Sequence, residues 1–294
     1  MNKTMKYGYY PGCSLHSTGS EYDISFREAC ERLGVEIEEI KDWVCCGTSP
    51  AHSSSPLLAT ALPIKNLSLA EEQGLTEVTA PCAACFSRLK TAVHDIKENK
   101  GTKEKIDEII GYSFKNEVEV RNPLDIFLND IGTEKISRQA CRDMSDLKVV
   151  CYYGCLITRP PEIVEFDICE YPMSMDRILS ALGIKALDWS YKTDCCGMSF
   201  ALTRTDIVVK LTHDILEDAR AVGAEAISVA CPLCHANLDT RQAEIEKKYR
   251  TKYGLPIFYF TQLMGLAFGA SPEKLALNKH LVDPMSLLEQ KQII

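Results

Sequence analysis

The chain has 294 residues, of which 46% are hydrophobic and 25% charged, with a formal net charge of −8 and an isoelectric point near 5.4. That is apolar material for about two globular cores, and it excludes a disordered chain. The acidic balance argues against phosphate backbones and anionic membranes, which call for a basic excess, so no nucleic-acid partner is expected. No segment approaches the roughly 18 uninterrupted apolar residues of a membrane span, and Met1 to Lys6 does not open an apolar signal run. The expected location is cytoplasmic.

In chain order, Lys6 to Tyr10 is a β-prone run that ends at Pro11-Gly12-Cys13. Ile24, Phe26, Ala29, Cys30 and Leu33 follow helical spacing and stop at Gly34. Val35 to Ile40 alternates apolar and acidic residues like a half-buried strand and delivers the chain to Cys45-Cys46-Gly47. Leu57 to Gln73 predicts a helix closed by Gly74, Glu77 to Ala80 a strand ending at Pro81-Cys82, and a further helix carries Cys85 onward. The Lys/Glu-rich stretch from His94 to Lys115 reads as a solvated helical insertion.

The second half repeats this order. Val149 to Tyr153 is the strand before Gly154-Cys155, Asp176 to Leu182 a helix, and Ile184 to Trp189 the approach to Cys195-Cys196-Gly197. Asp206 to Val222 is a helix stopped by Gly223, and Ala226 to Ala230 a strand before Cys231. Segments starting at Val118 and Leu255 supply a fourth strand and helix to each half. Strands alternating with helices imply βαβ units. The expected fold is α/β: two pseudo-symmetric Rossmann-like halves, each a mainly parallel sheet with flanking helices. The halves span residues 1–132 and 149–270, joined by a polar linker at 133–148 and followed by a tail at 271–294 that docks on the body or on a partner.

Ten of the fourteen cysteines fall into two matching sets. Cys13, Cys45, Cys46, Cys82 and Cys85 form the first, and Cys155, Cys195, Cys196, Cys231 and Cys234 the second. Between lone cysteine, adjacent pair and CxxC lie 31 and 35 residues in the first set and 39 and 34 in the second. In a reducing compartment this is not a disulfide framework. Thiolates select zinc, copper(I) or iron–sulfur clusters. A structural zinc ion uses four ligands, and adjacent cysteines on one backbone do not easily bind one tetrahedral ion, so a polynuclear iron–sulfur cluster is favoured and zinc at one site is the lesser alternative. Every one of these cysteines is expected just past the end of a strand, where open α/β sheets place their sites. Gly47 and Gly197 suggest a tight turn that lets the backbone approach the cluster.

The twin motifs, Cys13…Cys45-Cys46-Gly47…Cys82-Ala-Ala-Cys85 and Cys155…Cys195-Cys196-Gly197…Cys231-Pro-Leu-Cys234, resemble the CCG domains found in the B subunit of heterodisulfide reductase. The resemblance extends from Tyr9-Tyr10-Pro11-Gly12-Cys13 to Asn278-Lys279-His280. It implies a catalytic subunit with two facing non-cubane [4Fe-4S] clusters, reducing the coenzyme M/coenzyme B heterodisulfide to two thiols in methanogenesis. The partners it implies are a ferredoxin-like C subunit, a flavin-bifurcating A subunit, and a hydrogenase or formate dehydrogenase module upstream. No flavin or nucleotide motif is found in this chain. The same tandem motif occurs in iron–sulfur subunits of hydroxy-acid, succinate/fumarate and sulfur-oxidising complexes, which makes an electron-relay subunit the alternative.

An anionic substrate calls for cations in the cysteine loops. Arg159, Lys192, Arg204 and His235 are the positional candidates for substrate binding, against a competing reading as surface charges or loop residues. His16 and His52 are the candidate proton donors for the departing thiolates. Cys30 and Cys151 read as small buried hydrophobes, Cys141 and Cys169 carry no ligand signal, and Trp43 and Trp189 either shield the clusters or pack in the core.

Overall fold

The computed structural model describes residues 5–48 and 50–294; the expectation made on the first four residues lies outside the described residues. Each half contains a four-stranded, wholly parallel sheet. The first is built from β1 (Met5–Tyr9), β2 (Val35–Glu39), β3 (Glu77–Thr79) and β4 (Glu119–Arg121) in the order β2-β1-β3-β4. The second uses β5 (Lys148–Tyr152), β6 (Lys185–Ala186), β7 (Ala226–Val229) and β8 (Ile257–Tyr259) in the order β6-β5-β7-β8. The shared topology is the duplicated α/β architecture that the repeat of strand and helix signals predicts.

In both sheets the connections reverse direction at the first strand: the second strand lies on one side of it and the third on the other. Open α/β sheets bind ligands at that switch point, outside the carboxyl ends of the strands. Cys13 follows β1 and Cys82 follows β3, and Cys155 and Cys231 stand in the same relation to β5 and β7. The crevice is therefore made of cysteine loops in both halves.

The helices fill the expected places. Ser20–Arg32, Pro56–Glu72 and Ala83–Glu98 flank the first sheet, and Ser174–Ala181, Thr205–Ala221 and Pro232–Thr240 the second. β6 is only two residues long because the backbone turns away after Leu187, whose N–H still reaches Val149 O at 2.8 Å. The Lys/Glu-rich stretch is less solvated than its composition suggests: it contains the helix Lys100–Ile110, whose Ile106 is fully buried, as is Phe114 just beyond it. The segment 133–148 contains the helix Thr133–Gln139 and buries Ile136, Met144 and Leu147.

The two halves share one core. The Ser20–Arg32 helix packs on the Phe260–Ala267 helix, with Ser25 Oγ 2.7 Å from Thr261 Oγ1. Phe26, Phe127 and Phe260 meet edge to face at the same seam. The tail docks on its own chain: Leu277, Leu288 and Ile293 are buried, and Lys291 pairs with Glu225 at 2.7 Å.

Candidate functional site

In each half two thiols face solvent and three do not. Cys13 and Cys45 are exposed over buried Cys46, Cys82 and Cys85; Cys195 is exposed and Cys155 half-buried over buried Cys196, Cys231 and Cys234. Cys46 Sγ lies 3.3 Å from Cys85 Sγ, Cys196 Sγ 3.7 Å from Cys234 Sγ, and Cys155 Sγ 3.9 Å from Cys195 Sγ. Cys82 and Cys231, the leading cysteines of the two CxxC pairs, contact each other across the seam between the halves. With the contacts inside each CxxC, a continuous run of sulfur extends from Cys46 to Cys196.

Contacting thiols share protons, so one sulfur of a pair is held as thiolate by the S–H of the other. The Cys85 thiol brings Cys46 down to about 6, helped by Thr48 and by the Arg88 guanidinium. The Cys155 thiol does the same for Cys195, also to about 6, with the Gly197 N–H directed at its sulfur at 3.3 Å. The hydrogen bond to the neighbouring sulfur, and then burial, push Cys85 and Cys155 upward.

Two tyrosines missed in the sequence organise the loops. Tyr10 donates to Val44 O at 2.8 Å and Tyr152 to Asp194 O at 2.6 Å, so each pins the carbonyl just before an adjacent cysteine pair. Each lies within electrostatic reach of four thiols of its own set. The signal was present as Tyr-x-Gly-Cys in both halves.

Gly12 and Gly154 form the floor of the cradle. Their φ values are +65° and +68°, and a Cβ would meet Cys85 Sγ and Cys234 Sγ, each at 3.0 Å. Gly47 and Gly197 also have positive φ, at +76° and +77°, but a Cβ there would meet Ala51 and Leu62, or Leu211. The glycine after each adjacent pair thus makes room for a helix, and the glycine before each lone cysteine makes room for sulfur.

The remaining sequence candidates are distributed unevenly. His16 is exposed in the Cys13 loop, its Nε2 3.1 Å from Glu39 Oε1 and its ring edge-on to Trp43. His52 is exposed near Arg88, and partial desolvation and that cation lower its pKa. Arg159 is exposed and donates to Thr193 Oγ1 at 3.1 Å, close to Cys195. Arg204 pairs with Asp206 on the surface.

Lys192 and His235 do not face the crevice. Lys192 is 1% exposed and pairs with buried Asp176 at 2.7 Å, donating also to Pro172 O. Its charge is neutralised inside the fold. His235 is buried, stacks on Tyr259 at 4.4 Å and bonds Ile257 O through Nε2; burial pushes it down to about 3, so it stays neutral. Cys30 and Cys151 are buried, Cys151 inside β5. Trp189 packs in the core with its N–H on Cys151 O, whereas Trp43 is half-exposed beside Tyr10.

Among the described residues no three His, Cys, Asp or Glu side chains converge on a single-ion site. The thiols are instead strung out as pairs around the two glycine-floored cradles. Soft donors spread in this way, with backbone kept clear of the sulfurs, fit a polynuclear iron–sulfur group better than one tetrahedral ion.

Comparison with known proteins agrees. A family model described as cysteine-rich domain, CCG, matches residues 7–90 and 149–239. The chain is 29% identical over 285 residues to the 8-methylmenaquinol:fumarate reductase membrane anchor subunit of Wolinella succinogenes, covering 96% of this chain and 99% of that one. It is 27% identical over 291 residues to the B subunit of a ferredoxin/F420H2-dependent CoB-CoM heterodisulfide reductase of Methanosarcina acetivorans, covering 96% of both. A protein of Archaeoglobus profundus described as like the heterodisulfide reductase B subunit is 28% identical, over 92% of this chain and 93% of its own length. A solved hypothetical protein from Helicobacter pylori shares the fold, with a TM-score of 0.75 at 11% identity over 96% of this chain; the match spans 53% of that protein. Among the described residues no helix is long and apolar enough to cross a membrane. With both matched segments coinciding with the two cysteine sets, the chain belongs to the CCG cysteine-rich domain family, in tandem.

Proposed function

We propose that this chain is the disulfide-reducing subunit of a heterodisulfide reductase, with the CoB-CoM heterodisulfide as substrate and two thiols as products. The observation that carries the reading is the two-sided layout: two complete cysteine sets, each with thiols exposed at the crevice, joined at the back by Cys82 and Cys231. The heterodisulfide reductase names of relatives matched over nearly the whole chain support it. Two non-cubane [4Fe-4S] clusters, one per set, would supply the two electrons that disulfide cleavage requires.

The chain's own groups divide the remaining work. Cys13, Cys45, Cys46, Cys82 and Cys85 hold one cluster, and Cys155, Cys195, Cys196, Cys231 and Cys234 the other. Tyr10 and Tyr152 fix the adjacent pairs, and Trp43 walls the exposed side of the first set. Reduction consumes two electrons and two protons. His16, at the solvent edge and oriented by Glu39, is placed to hold one of the protons on its imidazole, and exposed His52, six residues beyond Cys46, is the second candidate. Arg159, exposed and bonded to Thr193 two residues before Cys195, is the candidate cation at the second crevice. Electrons arrive from outside, from a ferredoxin-like C subunit served by a flavin-bearing A subunit.

The test is iron and sulfide analysis of anaerobically prepared protein, followed by reduction of the heterodisulfide with a one-electron donor. About eight irons per chain are expected, together with loss of turnover in Cys195→Ser. A zinc-only protein, or undiminished turnover in that variant, would overturn the reading.

A second reading is favoured by the fumarate reductase relative. In it the same clusters relay electrons within a quinol or fumarate complex and no disulfide is cleaved. Iron-loaded protein that cannot reduce the heterodisulfide, but exchanges electrons with a menaquinol analogue when joined to its flavoprotein, would decide for it.

A further inference from the structure

The halves repeat each other closely at the cysteines, so the positions where they differ are informative. Counted from the second cysteine of each CxxC, Arg88 takes the place of Asn237. Asn237 is neutral and buried; its Nδ2 donates to Cys196 O at 2.9 Å and its Oδ1 accepts from Arg241 at 3.2 Å. Arg88 stands three residues beyond Cys85 on one helix, hence on the same face, and Cys85 Sγ touches Cys46 Sγ at 3.3 Å.

The Arg88 Nε is buried without an acceptor among the described residues, and the guanidinium lies within electrostatic reach of Cys46. A half-buried guanidinium with no carboxylate partner is a costly feature. A thiolate-held cluster on the first sulfur set would carry the negative charge that offsets it.

The opposite sign stands at the second set. Asp194, exposed, directly precedes Cys195, where the first half has Val44 before Cys45. Of the nearby cations, Lys192 is neutralised by Asp176 and Arg241 faces Glu244, while Arg159 is exposed, bonded to Thr193 and screened by solvent, unlike the half-buried Arg88.

We propose that Arg88 polarises the two centres, holding the N-terminal five-cysteine set at a higher reduction potential than the C-terminal one. This rests on the reading that each set carries a cluster. A one-electron reduction makes no bond; it takes one electron from an external one-electron donor protein and adds one negative charge to a centre. A fixed cation stabilises that charge and a fixed carboxylate opposes it. An electron delivered to either side therefore comes to rest on the set around Cys46, and the Cys82–Cys231 contact is the path between the sides. Arg88 acts through the cluster and is a positioning residue.

The test is a redox titration of the full-length, iron-loaded protein followed by electron paramagnetic resonance. Two centres titrating separately are expected. Arg88→Gln should lower one of them by on the order of tenfold in its reduced-to-oxidised ratio, about 59 mV for a one-electron couple, and leave the other in place. Arg88→Lys should restore it, and Asp194→Asn should raise the other centre alone. Two clusters that titrate together, or an Arg88→Gln variant that moves both centres equally or neither, overturn the inference while leaving the two-cluster reading intact. Protein that binds no iron removes both.

Discussion

Tyr22 and Tyr259 stack face to face across the seam between the halves, ring centroids 4.3 Å apart and planes within 9°. Tyr259 stacks in turn on His235, and both tyrosines lie within electrostatic reach of Cys82 and Cys231. The ladder is buried near the sulfur contact that joins the two sets. Deleting its outer ring leaves a large cavity at the seam. Tyr22→Ala should destabilise the protein by about 3–5 kcal/mol, whereas Tyr22→Phe, which loses only a long 3.4 Å bond to Ala230 O, should cost under about 1.5 kcal/mol. Chemical denaturation of the two variants measures the difference; equal midpoints would mean that the ring stack does not hold the halves together.

Gly12 and Gly154 give a prediction that separates the two sets. Alanine at either position places a methyl group 3.0 Å from a buried sulfur, on a backbone with positive φ. The strain alone costs about 1–2 kcal/mol, and the displaced sulfur is Cys85 or Cys234. On the proposed two-cluster reading, Gly12→Ala is expected to lose about half the bound iron, and Gly154→Ala the other half. Iron per chain, read after gel filtration, checks this; full iron in both variants would mean that the cradle floor is not tight.

Lys192 and Asp176 form an ion pair with both partners buried, and Asp176 also accepts from Tyr153 OH at 2.7 Å. Breaking it from one side strands a carboxylate in the core. Lys192→Met should therefore cost about 3–5 kcal/mol, while Lys192→Met combined with Asp176→Leu should recover most of that loss. Thermal denaturation distinguishes this from a substrate-binding lysine, whose loss would raise KM and leave stability unchanged.

Stability should also depend on pH through His280. Burial pushes this residue down to about 4, and Gln262 Nε2 donates to its Nε2, so the neutral ring is the one the fold accommodates. The unfolded chain takes up the proton near 6.5 and the folded chain only near 4. The contribution is thus fully present above pH 6.5 and is lost as pH falls toward 4. The difference in unfolding free energy between parent and His280→Gln should shrink by about 3 kcal/mol across that window. A difference that does not change with pH would rule out this titration.

Much of this architecture was legible in the residues. The strand and helix order, the duplication and the ten-cysteine pattern are local signals: alternation, helical spacing, glycine stops and fixed intervals between thiols. Lys100–Ile110 departs from its solvated reading because a Lys/Glu-rich helix conceals a single inward residue, Ile106, within a polar composition. Lys192 and His235 depart from theirs for a related reason. Position next to a cysteine says that a side chain is near the site, and does not say which way it points.

By itself, the sequence determined the duplicated α/β fold and the cysteine sets, because both are written in spacings along the chain. The tertiary structure alone decided that Cys82 meets Cys231, that Tyr10 and Tyr152 pin the adjacent cysteine pairs, and that Lys192 is neutralised while Arg88 is left within electrostatic reach of Cys46. Each of those outcomes depends on a partner far away in sequence, brought near by sheet topology and by the packing of one half on the other. Charge and hydrogen bonding act over a few ångströms of space, and only the fold sets which residues share them.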